Sequence, residues 1–597
     1  MNVSWIEEKV KTIDAMITQL QATSHRYSTI RFLLVVMFLV CFFEGYFQSS
    51  RILYALSALA FCVFVYMVYR HGAIKQHLED AQLLKESYGD ILKRKTQEWK
   101  QFADTGSDFM KEDSTQAYDL DVFGKASLYQ YLSIAKTPYG RMAFAHALTW
   151  QNVDVKEVLL VQQAVKESEE QVENTMEFVQ LLKSFEKHGH KRKKKTFDML
   201  FTMLQGEVKK PSFIETLISY ALPLVTWIGV FGMVFFDQTY AIFSIGFTLS
   251  LCLSLLFTIR NSVILSSVTE LYDVMKDYER MFLHVSKQPY KSAYLKKLQQ
   301  DLQPALSGMQ ALRRILGVVS LHHNFIMNIL LNGFFLMDFH GIRHYKQWQM
   351  VYGSQIQTWI ETIAEFEHIV SLTQLSFAKE NCEFPVFENQ EEPRFAFTDM
   401  HHPLLLEAQA KTNCFQASND SYVITGSNMS GKTTFLRTIG LNMILGHAGA
   451  KVCASSASMT MMQIYTSMRV QDDVSEGIST FYAEILRIKQ MMDESKKKVP
   501  MLVLIDEIFK GTNSADRIEC AIQAISRLHQ PWIITMVSTH DFELCDLQSD
   551  PHIQAKNYHF SEYYQDDKIC FDYQLKDGRC VTTNAKQLMR LAGFFEE

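Results

Sequence analysis

Proline and glycine are scarce, at 11 and 25 of 597 residues. No repeat period is visible, so collagen-like, low-complexity and repeat architectures are excluded. There is also no strong excess of one charge: 59 Lys and Arg stand against 65 Asp and Glu, for a net charge of -6. The chain therefore has no global basic footprint, and any nucleic-acid binding would have to come from local patches. None of the ten cysteines sits in a CxxC pair, and no His/Cys group has zinc-finger spacing. Cys41, Cys62 and Cys252 lie in apolar stretches. The others, Cys382, Cys414, Cys453, Cys520, Cys545, Cys570 and Cys580, suit a reducing compartment without structural disulfides. A cleavable signal peptide is not apparent: the first apolar run starts at Phe32 and no small-residue cleavage site follows it.

Apolar residues are abundant. At 48% hydrophobic the chain is not a disordered one. Four runs concentrate this character. Phe32–Phe47 is interrupted by Glu44, and Ile52–Tyr69 follows after the short break Gln48–Arg51. Leu217–Phe236 and Ala241–Ile259 form a second pair around Asp237–Tyr240. A membrane-spanning helix needs roughly 20 apolar residues, so the two pairs predict two transmembrane hairpins. Lys9, Lys11, Arg26 and Arg31 precede the first hairpin, and Arg70 and Lys75 follow it. Lys209 and Lys210 precede the second, and Arg260 follows. The turns carry only Arg51 and Asp237. This bias predicts turns facing outward, with both termini and all large segments in the cytoplasm of a multi-pass cell-membrane protein.

Residues 71–210 and 261–385 read as mostly helical, with apolar residues three and four apart, as at Leu295, Leu298 and Leu302. The stretch Phe325–Phe339 is too short to span and reads as a core helix. The basic run His190–Lys195 is either a solvated face or an anion-binding patch, and its place before a membrane helix favours lipid. From about residue 386 short β-branched runs alternate with helical patterns, which predicts an α/β domain with a largely parallel sheet.

That domain carries the chemistry. Ser421–Thr425 reads as a buried strand running into Gly426, Ser427, Asn428, Met429, Ser430, Gly431, Lys432 and Thr433, with a helical pattern from Thr434. This is G-x-x-x-x-G-K-[ST] in a strand–loop–helix setting, a P-loop for a nucleoside triphosphate such as ATP. Its glycines let backbone N–H groups face phosphate oxygens, Lys432 reaches the β- and γ-phosphates, and the Thr433 hydroxyl ligates Mg²⁺. Met501–Ile505 is an apolar strand ending in Asp506, placed for the metal, and Glu507, placed as general base. A third strand, Trp532–Val537, ends in Ser538-Thr539-His540, and His540 is positioned to sense the γ-phosphate. Between these motifs, Gly477, Ser479 and Thr480 precede a helix over Tyr482–Met492, a pattern that fits either an N-cap or an anion site.

At these residues the sequence resembles the MutS family. Gly426–Thr433 looks like its P-loop, Asp506-Glu507-Ile508 with Gly511-Thr512-Asn513 like its Walker B segment, Gly477–Phe481 like its signature loop, and Ser538–His540 like its switch histidine. His402-Pro403, Asn557–Phe560, Leu591–Gly593, Leu120–Gly124 and Thr137–Arg141 resemble further family segments. The resemblance implies an ABC-type ATPase acting as a homodimer, with each ATP held between one P-loop and the partner copy's signature loop. The LSGGQ signature of ABC transporters is absent. Nothing resembles the family's mismatch-reading domain, so DNA is an expected partner without mismatch recognition, beside the lipid bilayer. The expected organisation is a cytosolic segment 1–30, a transmembrane hairpin 31–70, an all-α MutS-like core over 71–210 and 261–385 interrupted by a second hairpin at 211–260, and an α/β P-loop ATPase domain over 386–597.

Overall fold

A computed structural model of the chain describes residues 2–111, 114–149, 154–188, 213–236, 240–260, 262–320, 325–388, 392–427, 429–469, 480–509, 513–565 and 568–580. Helix α1, Val3–Gln48, starts where the Asn2 side chain accepts the Ser4 N–H. It turns at left-handed Ser49 into α2, Arg51–Lys95, within the polar break noted above. Each helix is about 68 Å long at 1.5 Å per residue, roughly twice the thickness of a bilayer's hydrocarbon core. The surplus length is amphipathic. Ile6, Ile13 and Ile17 bury against the far end of α2 around Ala81, Tyr88 and Ile91, Trp5 meets Tyr88 edge-on at 6.1 Å, and Lys85 pairs with Asp14 at 2.7 Å. The helices run unbroken through residues 30 and 70.

The apolar parts behave differently. Among the described residues four helices are long and apolar enough to cross a membrane, within Val3–Gln48, Arg51–Lys95, Glu215–Met233 and Tyr240–Arg260. In the first two, 6% and 11% of the apolar window is buried, which leaves an apolar surface far larger than water tolerates. The second pair, Phe213–Phe236 and Tyr240–Arg260, packs closely through small residues. A Cβ on Gly229 would lie 2.4 Å from the Phe243 nitrogen, and one on Gly246 would lie 2.9 Å from Thr226. Glycine at these positions lets the two backbones touch.

The stretch expected as a core helix divides. Phe325–Phe335 and Met337–Tyr352 are separate helices broken at left-handed Leu336. The first lies on the second hairpin: the Phe334 ring approaches Trp227 at 5.5 Å and Phe247 at 5.3 Å. Asn332 and Thr258 both donate to Asp338 there. Length and composition alone could not separate a core helix from one packed on apolar spans.

The remaining helices form the core. Ile356–Ala378 is buried along its whole length from Thr362 onward but for Glu365. Its Glu367 carboxylate accepts the N–H groups of Lys136 and Thr137 at 2.8 and 3.1 Å, together with the Thr137 hydroxyl, at the start of the Pro138–Thr149 helix. A carboxylate suits the positive end of a helix. Desolvation nevertheless dominates and pushes its pKa up to about 7.

Sheets occur from residue 386 among the described residues. The strands are β1 Val386–Phe387, β2 Phe395–Met400, β3 Asn413–Ala417, β4 Ser421–Thr425, β5 Ser456–Met459, β6 Gln463–Ser467, β7 Met501–Asp506, β8 Ile533–Thr539, β9 Lys556–His559, β10 Glu562–Gln565, β11 Lys568–Phe571 and β12 Lys576–Asp577. The main sheet has the order β12-β9-β4-β8-β7-β6. All its pairs are parallel except β12–β9. A mixed four-stranded sheet, β1-β5-β2-β3, and the β10-β11 hairpin complete the domain. Strands β4, β7 and β8 are buried at every residue, as expected of parallel strands covered on both faces. Helices Lys432–His447, Thr480–Ser495 and Ser514–Leu528 connect the strands.

Asp119 fixes the core to this domain. Fully buried, it accepts from the Thr466 hydroxyl at 2.8 Å and from the Met468 and Arg469 N–H groups at 3.0 Å. Its neighbour Asp121 pairs with Arg469 and with Arg437 on the Lys432–His447 helix.

Candidate nucleotide site

Parallel registry aligns three strand ends. Thr425 of β4 faces Thr539 of β8, and Asp506 of β7 faces Ser538 of β8. The crevice beyond such ends is where open parallel sheets bind ligands. Into it runs the loop Gly426–Gly431. Gly426 has φ +152° and a Cβ there would strike the Phe560 carbonyl at 2.8 Å; Gly431 has φ +111° and leads into the helix. L-residues rarely adopt such angles, so the loop needs glycine at both ends. Ser430 is buried, and among the described residues its hydroxyl has no hydrogen-bond partner.

Lys432 folds back over this loop. Its Nζ donates to the Gly426 carbonyl at 2.8 Å and the Ser427 carbonyl at 3.0 Å. It also lies 3.3 Å from His540 Nε2. The same Nε2 is 3.1 Å from Glu507 Oε1. One ring nitrogen thus stands between an ammonium and a carboxylate. Glu507 reaches this position from a left-handed backbone, φ +56°, with its N–H donating to the Ser538 carbonyl at 3.0 Å. A non-glycine residue in that region is strained, and such strain clusters at functional sites. Beside this trio the Thr433 hydroxyl donates to Asp506 Oδ2 at 2.8 Å, and Ser538 donates to the other Asp506 oxygen.

Lys432, Thr433, Asp506, Glu507 and His540 therefore form one cluster. Met429, which has a left-handed backbone, is exposed at the loop tip, and Ser427 donates to Glu562 at 2.7 Å. Thr434 faces a neighbouring cavity of about 320 Å³, lined also by His402, Phe435, Phe560 and Tyr573. Burial, and secondarily Arg437, pushes the His402 pKa down to about 4, so His402 is neutral at pH 7. The cavity wall was not legible as a unit: Phe560 and Tyr573 reach it from the far end of the domain, and no local pattern marks them. A larger cavity, about 730 Å³, lies elsewhere, between Phe109, His146, Tyr465 and Arg487; Phe123 of the Leu120–Gly124 segment lines it, and none of the nucleotide-motif residues does.

Asn428, Gly477 and Ser479 lie outside the described residues, as do Gly511, Thr512, Leu591–Gly593 and the basic run His190–Lys195. Thr480 opens the helix Thr480–Ser495. That helix is tied to the segment after Glu507: Glu484 accepts the Phe509 N–H at 2.6 Å, and the Phe481 and Phe509 rings lie 5.9 Å apart.

A glycine-bounded loop between a buried parallel strand and a helix, with a hydroxyl–carboxylate pair beside it, defines the P-loop class of nucleotide-binding domains. Comparison with known proteins adds a similarity to one family. Residues 422–597 match the model for MutS domain V. The chain is 30% identical over 256 residues to the DNA mismatch repair protein MutS of Syntrophobacter fumaroxidans, covering 41% of this chain and 28% of that protein. It is 32% identical over 173 residues to MutS of Natronomonas pharaonis, covering 29% and 20%, and 31% identical over 250 residues to MutS of Bacillus cytotoxicus, covering 40% and 27%. These matches relate the carboxyl-terminal part of the chain to the MutS family. The chain spans less than a third of the length of each of these relatives.

Proposed function

We propose that this chain is a membrane-anchored, MutS-like ATPase that binds and hydrolyses ATP with Mg²⁺ at composite sites shared by two copies, and that it binds DNA without classical mismatch recognition. One observation carries the reading: Lys432, His540 and Glu507 form a contact chain beside the Thr433–Asp506 pair, at the aligned ends of β4, β7 and β8.

The loop's glycines and the orphaned Ser430 hydroxyl suit phosphate oxygens. Lys432, which donates to loop carbonyls, exchanges them for the β- and γ-phosphates. Thr433 and Asp506 suit Mg²⁺, which when bound offsets phosphate charge. Glu507 takes a proton from the attacking water and His540 reports the γ-phosphate to Glu507. The adjoining cavity, with Phe435, Phe560 and Tyr573, suits the purine base. Ser479 of a second copy completes the site, as in the family the motifs resemble. The exposed apolar helices support a cell-membrane location with the ATPase domain in the cytoplasm, and the segments 31–70 and 211–260 as its anchors.

Lys432→Ala abolishes nucleotide binding or turnover. Glu507→Gln retains ATP but slows hydrolysis by about 10²–10⁴, the usual worth of a general base. Wild-type steady-state turnover by Glu507→Gln excludes the base assignment. For DNA, the detergent-solubilised protein retains duplex or branched DNA in a salt-dependent manner; no retention at low salt with ATP excludes that part.

A second reading has ATP-driven closure act on lipid or a membrane partner without nucleic acid. It is favoured by the helix Phe325–Phe335 resting on the second hairpin, which couples the core to the apolar spans. Crosslinking between hairpins that stays unchanged through the ATP cycle argues against it.

A further inference from the structure

Among the described residues outside the nucleotide cluster, one group of side chains has unused coordination chemistry. Cys382, His401 and Cys453 are each at most 3% exposed. One donor atom from each lies within 4.8 Å of the other two, and the two sulfurs are 3.3 Å apart. Spacing rules could not find it, because 71 residues separate the cysteines and the histidine comes from a different strand end.

Among the described residues, the buried His401 Nε2 has no hydrogen-bond partner at normal geometry, and the Cys382 thiol is the group that interacts with this ring. An orphaned buried polar atom is costly unless something satisfies it. The His401 ring is held in a definite sense. Its Nδ1 is 3.4 Å from the Asp399 carbonyl, which favours a proton there and leaves the Nε2 lone pair for the cluster, the usual arrangement of a metal-binding histidine. The frame around the three side chains is rigid. The His401 N–H donates to the Cys453 carbonyl at 2.9 Å, and Asn442 on the P-loop helix accepts the Cys453 N–H at 2.7 Å and donates to the His401 carbonyl at 3.2 Å.

We propose that Cys382, His401 and Cys453 bind a thiophilic divalent metal ion, with the chemistry of Zn²⁺, at the joint between the helical core and the P-loop domain. The donor set of two sulfurs and one imidazole selects a soft or borderline ion. Two thiolates and a neutral imidazole around a divalent cation have no net charge, which a buried site requires. Each thiol loses its proton to solvent as its metal–sulfur bond forms, and no electron is transferred. Binding therefore weakens as pH falls. Cys382 follows the long core helix Ile356–Ala378, and His401 and Cys453 flank the strands β2 and β5. The ion staples that helix to the domain beneath the P-loop helix.

The test uses the full chain in detergent, stripped with a chelator, reloaded with Zn²⁺ and desalted. Elemental analysis should give one zinc per chain in the wild type and in Cys545→Ser, a change at another buried cysteine, and none in Cys382→Ser/Cys453→Ser. His401→Gln should bind more weakly. Co²⁺ loaded into the wild type should show thiolate-to-metal charge-transfer absorption, a readout that does not depend on the variants folding. Zinc no higher in the wild type than in the double variant overturns the proposal. So does cobalt without thiolate absorption, or zinc displaced by excess Mg²⁺, which would belong to Thr433 and Asp506. A mass two hydrogens short under non-reducing conditions would identify a Cys382–Cys453 disulfide instead, and would equally overturn it.

Discussion

Glu367→Gln probes the helical core through its pH dependence. In the folded protein burial pushes the Glu367 pKa up to about 7, although Thr137 and the Lys136 and Thr137 N–H groups favour its charged form. The unfolded reference for glutamate is 4.5. A carboxyl whose folded pKa is raised binds more protons in the native state between these values. Its contribution is therefore complete below pH 4.5 and is lost as pH rises through 7. The separation of these two values corresponds to roughly 3 kcal/mol. Carboxylates with lowered pKa, such as Glu365 beside His368, work in the opposite direction at lower pH. The comparison must therefore be wild type against Glu367→Gln, in which the neutral amide replaces the titrating group. Thermal unfolding from pH 5 to 8 should show the wild type losing stability relative to the variant as pH rises, by several degrees, given about 2–4 °C per kcal/mol for a cooperative unit of 150–250 residues. A difference in Tm that stays constant across this range would refute the reasoning, because it would mean that folding leaves the Glu367 proton equilibrium unchanged there.

Asp119→Ala should destabilise the joint between core and P-loop domain by about 3–5 kcal/mol, since it strands the Met468 and Arg469 N–H groups and unpairs Arg487; an unchanged Tm rules that role out. Gly229→Leu should loosen the second hairpin, because its Cβ would meet Phe243 backbone atoms within 2.5 Å. The expected signal is a lower Tm in detergent with ATP binding retained at low temperature, and an unshifted Tm contradicts the close packing. Mixing Ser479→Ala with Lys432→Ala chains should restore activity at one of two composite sites; mixtures no more active than either variant alone argue against a shared site.

What the sequence made legible follows from how far apart the interacting residues are. Gly426–Thr433, Asp506-Glu507 and Ser538–His540 are each local patterns at the end of an apolar run. The parallel sheet then brings β4, β7 and β8 into register, so local reading was enough to anticipate the cluster. The break at Gln48–Arg51 was legible for the same reason: Ser49 and Ser50 turn the chain where the apolar runs stop. Residue type at one position could not reveal what a neighbour 200 residues away would do. Glu367 is a helix-interior glutamate in sequence. In the fold it sits under Gly140, where a Cβ would fall 2.3 Å from its carboxyl carbon, so glycine in the Thr137–Arg141 segment exists to admit that side chain. Gly440 admits Leu120 in the same way, and through it the Asp119–Asp121 segment reaches the P-loop helix. The same distance effect explains Phe325–Phe335. Its composition fits a protein interior or an apolar span equally well, and the contacts of Phe334 with Trp227 and Phe247 decide between them. Helix Phe325–Phe335 lies on the second hairpin through Phe334, and after the turn at Leu336 the next helix, Met337–Tyr352, accepts the Thr258 hydroxyl at Asp338, so the same hairpin holds both helices.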